Sequence, residues 1–334
     1  MTSAPLFSAS PLGSAPVVTW SPSVTLVPTH GCFNRCGYCS FRVDPDSAVP
    51  LSLEVAQWQL AQRPDAAEVL LLSGEETPGS PRRGAWFDRL LQFSQLALAQ
   101  GRLPHTNAGP LSAREMARLG RSNPSLGLML EGLGPAYAPL HAHAPSKRLE
   151  IRLAQLEQAG RLGIPFTTGL LLGVGETRSD RLEALAVLRD LQLQWGHLQE
   201  VILQPWRPDG ASAVPLTAQE QGDLLELIAA ARALLPPEVH LQTPPNLWPL
   251  DALPAALAAG IDDLGGIDLA DVINPAYPQP RIEALRAVVE ASGRQLAPRT
   301  CVHRQWWPRL PHGLRRTVER VDQTLQQRWA TAAC

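Results

Sequence analysis

Short apolar or β-branched runs alternate along this chain with longer segments whose apolar residues recur every three to four positions. The first pattern predicts buried strands and the second predicts helices. Strands are expected at residues 24–30, 68–75, 103–108, 125–131, 166–173, 200–206, 239–243 and 262–267, eight in all. Helices are expected between them at 52–62, 81–99, 111–121, 147–162, 179–194, 217–235, 250–259 and 280–291. Pro81 after Ser80 suits a first helical turn, and Thr217 with Glu220 three positions on reads as a capping pair. Gly101, Gly120, Gly160 and Gly260 supply stop signals.

Near-continuous apolar strands belong in a parallel sheet covered on both faces. An open, doubly wound sheet uses the same alternation, but a count of eight favours a closed (β/α)8 TIM-type barrel. Chemistry in such a barrel gathers at the C-terminal strand ends. That rule selects Thr29, Ser73, Gly74, Glu75, His105, Asn107, Glu131, Thr168, Gln204, Asn246, Gly265 and Gly266. No repeat or long linker divides the chain. Residues 1–20 are expected to be a loose extension, 21–295 the barrel, and 296–334 a tail packed on it, where RTCVHRQWWPRLPHGLRR breaks the alternation.

Composition narrows the function. A 45% hydrophobic share with 18% charged residues supports a large core and excludes global disorder. A net charge of −2 gives no electrostatic case for nucleic acid or an acidic membrane surface. No apolar run of about 18 residues is present, so no span is expected. The first twenty residues lack the Lys or Arg and the apolar core of a secretion signal. Five cysteines, three of them within eight residues, do not resemble a disulfide framework and fit a reducing cytoplasm. Cys301 and Cys334 read as spare thiols.

The clustered three, Cys32, Cys36 and Cys39, follow C-x3-C-x2-C directly after the first predicted strand. Three thiolates can hold three irons of a 4Fe–4S cube, where most such clusters use four. The remaining iron would then be open to a ligand. Two other readings stay open. Zinc, with His30 as a fourth ligand, would make a Cys3His site in a non-enzymatic barrel, although His30 and Cys32 are close for the usual pairing. An electron-carrying cluster would want a fourth cysteine, and the other two lie far downstream.

The loop resembles that of the radical S-adenosylmethionine superfamily, with Tyr38 in the aromatic place of C-x3-C-x-aromatic-C. The likeness extends through TLVPTHGCFNRCGYCSFR, LLLSGEETPGSPRRGAWF, LPHTNAGPLS, LGLMLEGL, HAPSKRLEIRLAQLEQAG, IPFTTGLLLGVGET, EVILQPW, PPNL and DLGGID, from about Trp20 to Pro298. These stretches resemble the deazaflavin-synthase family, in particular its ring-closing members. The resemblance implies a substrate, 5-amino-5-(4-hydroxybenzyl)-6-(D-ribitylimino)-5,6-dihydrouracil, made from tyrosine and a ribityl-aminouracil by a partner radical enzyme. S-adenosyl-L-methionine would be cleaved to methionine and a 5′-deoxyadenosyl radical, which takes a hydrogen atom. Ring closure and loss of ammonia would then give the deazaflavin. A ferredoxin or flavodoxin would donate the electron. Sister enzymes, such as the hydroxybenzyl transferase of the same route or the menaquinone- and biotin-type relatives, share the loop and remain alternatives.

The resemblance also implies roles. Tyr38 would lie near the adenine, and Ser73, Gly74 and Glu75 would meet the amino group. Arg152 would meet the carboxylate, with Arg148 and Arg161 as nearby competitors; Glu131, read from its strand-end position, suits ribose hydroxyls of the nucleoside or the substrate, or else a helix cap or buried salt bridge. Asn107, Thr168, Gln204, Asn246, Gly265 and Gly266 would suit a uracil edge and a ribityl chain. His105, on the same strand face as Asn107, is the proton-shuttle candidate. Met129 reads as core filler, and the GVGET stretch at 173–177 as a backbone turn near S-adenosylmethionine.

Overall fold

Parallel neighbours need a crossover between them, and helices provide it. The computed structural model describes residues 15–208, 210 and 212–332. It runs β1 (Val17–Leu26), α1 (Leu53–Ala61), β2 (Glu68–Leu72), α2 (Arg83–Ala99), β3 (Leu103–Asn107), α3 (Ala113–Leu119), β4 (Ser125–Gly127) and α4 (Tyr137–His141). It continues α5 (Leu149–Arg161), β5 (Phe166–Leu172), α6 (Arg178–Trp195), β6 (Leu198–Pro205), α7 (Ala218–Leu234), β7 (His240–Gln242), α8 (Leu253–Ala259) and β8 (Asp263–Ile267). It ends with α9 (Ile282–Ala291), β9 (Gln295–Pro298) and α10 (His312–Ala332). β2 to β8 pair in chain order, and β1 pairs with both β8 and β2, which closes the eight-stranded parallel barrel. Helices cover it, and Leu26, Leu60, Leu71 and Phe93 are fully buried between layers.

All eight expected strands form, but most leave the ladder earlier than their apolar runs suggested. The residues past each observed end turn out of the sheet to build the mouth. Among the start signals, Thr217 and Glu220 make a reciprocal capping box on α7. Pro81 instead sits in a turn before α2. Gly160 does not stop α5; it lies inside the helix, where a Cβ would meet the Trp195 ring, and the chain turns at Gly163 (φ +66°).

The two ends of the barrel domain are also corrected. β1 starts at Val17, and its first four residues pair with β9, so residue 20 falls inside a strand. Its last residues, Ser23–Leu26, pair with β2. The expectations for residues 1–14 and for Cys334 lie outside the described residues. The tail is ordered: α10 buries Leu314, and it packs Val318, Val321 and Leu325 against Ala67 and Leu103.

Between β9 and α10 the chain crosses the barrel's N-terminal end. Arg299 donates to Asp263 at 2.7 Å and to Glu200 at 3.0 Å. The Cys301 carbonyl accepts from Ser125 (2.7 Å) and Gln199 (3.1 Å). This floor is buried throughout. Burial, then the charge of Asp263, push Glu200 well above the carboxylate range despite Arg299. Burial also opposes ionisation of Asp263, yet Arg299 holds it below its ordinary value. No helix among the described residues is long and apolar enough to cross a membrane.

Candidate active site

The segment after β1 cannot continue as strand, because β2 ends beside it and Gly74 fills the gap. Gly74 donates to the Thr29 carbonyl at 2.8 Å. A Cβ there would lie 2.2 Å from the Gly31 carbonyl oxygen, so only glycine fits. The loop is then pinned on three sides. Val43 pairs back to His30 (2.8 Å) and Cys32 (3.1 Å), Phe33 donates to Glu75 (3.1 Å), and Arg35 and Gly37 donate to His143 (2.8 Å) and Leu140 (2.7 Å). Gly74→Ala should therefore destabilise the protein by about 1–3 kcal/mol through forced backbone movement. It should also lower iron bound per chain. Thermal melts and iron analysis check this, and wild-type values for both would contradict it.

Cys32, Cys36 and Cys39 all line one cavity of about 360 Å³ at the barrel mouth, a size suited to small molecules. Burial pushes the Cys36 thiol up to about 11; the charge of Lys147 works against that rise. Burial raises Cys32 as well. Among the described residues, the three sulfurs do not all lie within 4.8 Å of one another. Tetrahedral thiolates sit about 3.8 Å from one another around zinc. Among the described residues, the sole trio of His, Cys, Asp or Glu ligand atoms within 4.8 Å of one another is Glu200, Asp263 and His303 on the floor, where Arg299 already supplies the positive charge. His30 is turned away, its Nδ1 3.0 Å from the Phe41 carbonyl.

Facing the thiols is a set of buried charges. Arg152 is 1% exposed, its single ion pair is to Glu75 at 3.5 Å, and its Nε has no partner. A buried, under-paired guanidinium calls for an anion. Arg148 and Arg161 instead pair with Glu150 and Glu157 at exposed positions, and of the three only Arg152 lines the cavity. Glu75 also accepts from Asn34 (2.9 Å), a fully buried amide between Cys32 and Cys36. Glu76 instead pairs with Arg82. Ser73 and Gly74 are braced by the Trp86 indole, 3.2 and 2.9 Å away.

Glu131 is the sole non-glycine residue with positive φ (77°) among the described residues. Such strain persists where surrounding contacts over-determine it. Here Tyr38 donates to one carboxylate oxygen at 2.9 Å and Lys147 pairs with the other. Burial opposes ionisation of Glu131, yet Lys147 and then Arg152 hold it below the usual range. Burial, then the charge of Glu131, hold the Tyr38 phenol well above its ordinary value.

The cavity lining is also amide-rich: Asn107, Gln204, Gln242 and Asn246 line it, with Gly266 and the loop after β8. Asn246 donates to Asp271 (2.9 Å) and to the Tyr277 carbonyl (3.0 Å). Three expected residues do not reach the cavity. His105 shares the inward face with Asn107 but lies one layer lower, 2.6 Å from the Ser125 hydroxyl. Burial depresses it to about 3, which favours the neutral ring, hydrogen-bonded as a structural histidine. Thr168 alternates with inward Leu171 and Thr167, and accepts from the Leu130 amide at 3.1 Å. Gly265 (φ +74°) packs against the Gln242 side chain. The GVGET turn is likewise elsewhere: Glu176 takes the Gly173 and Val174 amides at 2.7 and 2.8 Å, and Thr177 caps α6. Met129, expected in the core, lines the cavity. Lys147 was not anticipated at all, although one count would have found it: it is the single lysine among 29 basic side chains.

Residues 26–188 match the radical SAM superfamily. A 7,8-didemethyl-8-hydroxy-5-deazariboflavin synthase from Synechococcus elongatus is 50% identical over 313 residues, 92% of this chain and 93% of the relative. Proteins of the same name from Nostoc sp. (47% identical, 91% of each chain) and Gloeobacter violaceus (48%, 86% of this chain and 90% of the relative) are similar. Among solved structures, the FeFe-hydrogenase maturase HydG from Carboxydothermus hydrogenoformans aligns with a TM-score of 0.66 at 18% identity, covering 93% of this chain and 78% of that one. Methylornithine synthase aligns at 0.60 and 15% identity, covering 84% of each. These two likenesses concern the fold.

Proposed function

This chain belongs to the radical SAM superfamily and, within it, to the 7,8-didemethyl-8-hydroxy-5-deazariboflavin synthases, and from that premise we propose how its cavity performs the ring closure. The enzyme converts 5-amino-5-(4-hydroxybenzyl)-6-(D-ribitylimino)-5,6-dihydrouracil and S-adenosyl-L-methionine to the deazaflavin, 5′-deoxyadenosine, methionine and ammonia. One observation carries the reading: three thiols, a buried Arg–Glu pair and a set of amides all line a single cavity.

Cys32, Cys36 and Cys39 hold the 4Fe–4S cluster in this reading. When bound, the cluster supplies the electron that cleaves S-adenosylmethionine. Glu75 and the Gly74 turn receive the ammonium of the methionine moiety, and Arg152 receives its carboxylate. Glu131 and Tyr38 face the nucleoside. Asn107, Gln204, Asn246 and Gly266 hold the uracil and ribityl groups, which are rich in donors and acceptors. Apolar Leu70, Leu128, Met129 and Ile202 exclude water from the reacting carbon. The substrate comes from a second radical enzyme and the electron from a ferredoxin- or flavodoxin-class donor, in a reducing cytoplasm.

Anaerobic reconstitution with dithionite, S-adenosylmethionine and the partner's product tests this. The expected result is 5′-deoxyadenosine together with a fluorescent deazaflavin. Zinc at one equivalent and no nucleoside cleavage would overturn it. Cleavage that requires tyrosine and the ribityl-aminouracil would identify the transferase instead.

A further inference from the structure

Arginine serves at 28 of the 29 basic positions of this chain, including the buried pairs Arg152–Glu75, Arg181–Glu176 and Arg299–Asp263. The one lysine, Lys147, sits in the cavity wall with its side chain 14% exposed. A chain that writes arginine even into its buried ion pairs has a local reason for the exception.

The surroundings supply that reason. Tyr38 already occupies one oxygen of Glu131, at 2.9 Å. An ammonium is a compact point charge that needs only the other oxygen. A guanidinium is a planar fork that favours both oxygens of a carboxylate and would compete with the phenol. The space is also enclosed, with Nζ 5.7 Å from the Tyr38 ring centroid. Lys147 closes the short turn Pro145–Lys147, whose preceding residue, Ser146, accepts from Asn34 at 2.8 Å. Adjacent side chains of one turn therefore grip the cysteine loop and the segment after β4.

We propose that Lys147 is a positioning residue that arginine cannot replace. Its ammonium holds one oxygen of Glu131 and leaves the other to Tyr38, which fixes the carboxylate and the cysteine-loop phenol together against the nucleoside. This rests on the assignment of Glu131 and Tyr38 to S-adenosylmethionine in the preceding section.

A single lysine makes the test specific. In the reconstituted holoenzyme, acetylation by N-hydroxysuccinimidyl acetate is followed by mass spectrometry of the peptide carrying Lys147. Saturating S-adenosylmethionine should slow that labelling by about tenfold or more. Lys147→Arg should keep the wild-type melting temperature and raise KM for S-adenosylmethionine about tenfold, with a smaller change in kcat. The increases from Lys147→Arg and Glu131→Gln should not multiply in the double variant, because both act on one carboxylate. A wild-type KM in Lys147→Arg, or increases that multiply, would overturn the proposal while leaving the enzyme's function intact. Unprotected Lys147 in a wild-type protein that also fails to cleave S-adenosylmethionine would overturn both.

Discussion

Cys36→Ala is expected to give a folded protein with no 4Fe–4S cluster and no detectable 5′-deoxyadenosine. Two cysteines cannot retain a cube that three must share. The fold should not notice the loss. The loop is held by backbone hydrogen bonds to Glu75, His143, Leu140 and Val43, none of which uses the thiol. The apoprotein should therefore unfold within about 0.5 kcal/mol of wild type. Cys301→Ala is the contrasting control: its thiol is buried beside the floor, away from the mouth, so iron and activity should persist. Loading of the wild type should also depend on pH. Ligation needs the thiolate, and burial raises Cys36 to about 11 in the metal-free protein. Cluster assembly thus displaces protons, and its apparent affinity should rise with pH between about 7 and 9. Iron analysis and ultraviolet–visible spectra after reconstitution measure each point. Full iron in Cys36→Ala, or loading that falls with rising pH, would contradict the ligand assignment.

Arg299→Met should be the most damaging change far from the mouth, at about 3–5 kcal/mol. The guanidinium is the positive charge among Asp263, Glu200 and Glu68, all buried. Removing it strands those carboxylates in a medium that does not solvate them. The sign of the pH dependence follows. Glu200 already has a folded pKa well above its unfolded value, so its contribution is complete below the unfolded pKa and is lost as pH rises through the folded one. Asp263 is held low by Arg299, so its contribution is present above its unfolded pKa and lost on acidification. Without Arg299, Asp263 joins Glu200 in resisting ionisation. Urea denaturation should then show the variant losing stability as pH climbs from about 5 to 8. A variant least stable at the acid end would refute this account of the floor.

The barrel was legible because apolar runs and helical periodicity alternate with the right count, and the cysteines because their spacing has few other uses. What escaped did so for physical reasons. β9 is four residues, begins with Gln and ends with Pro, and pairs in the sheet only with the first half of β1. α10 carries Leu314, Val318, Val321 and Leu325 at helical spacing, but it follows a Trp- and Pro-rich stretch that breaks the pattern. Alternation correctly put His105 and Asn107 on one face of β3. It has no measure of depth, and depth separates a neutral floor-side histidine from a mouth-side amide. Thr167 and Thr168 show the opposite difficulty, where one step in register exchanges barrel interior for exterior. Arg152 could not be told from its neighbours until its burial was known.

The sealed floor has a kinetic corollary. With Arg299 and its partners filling one end of the barrel, traffic is confined to the other. Reactants and products then share the mouth, where Ser40 meets the Ile273 carbonyl. A departing molecule and an arriving one therefore contend for the same passage. Lingering 5′-deoxyadenosine or methionine should act as a competitor of the incoming S-adenosylmethionine, and turnover should be paced by clearance of the vestibule as much as by bond-breaking.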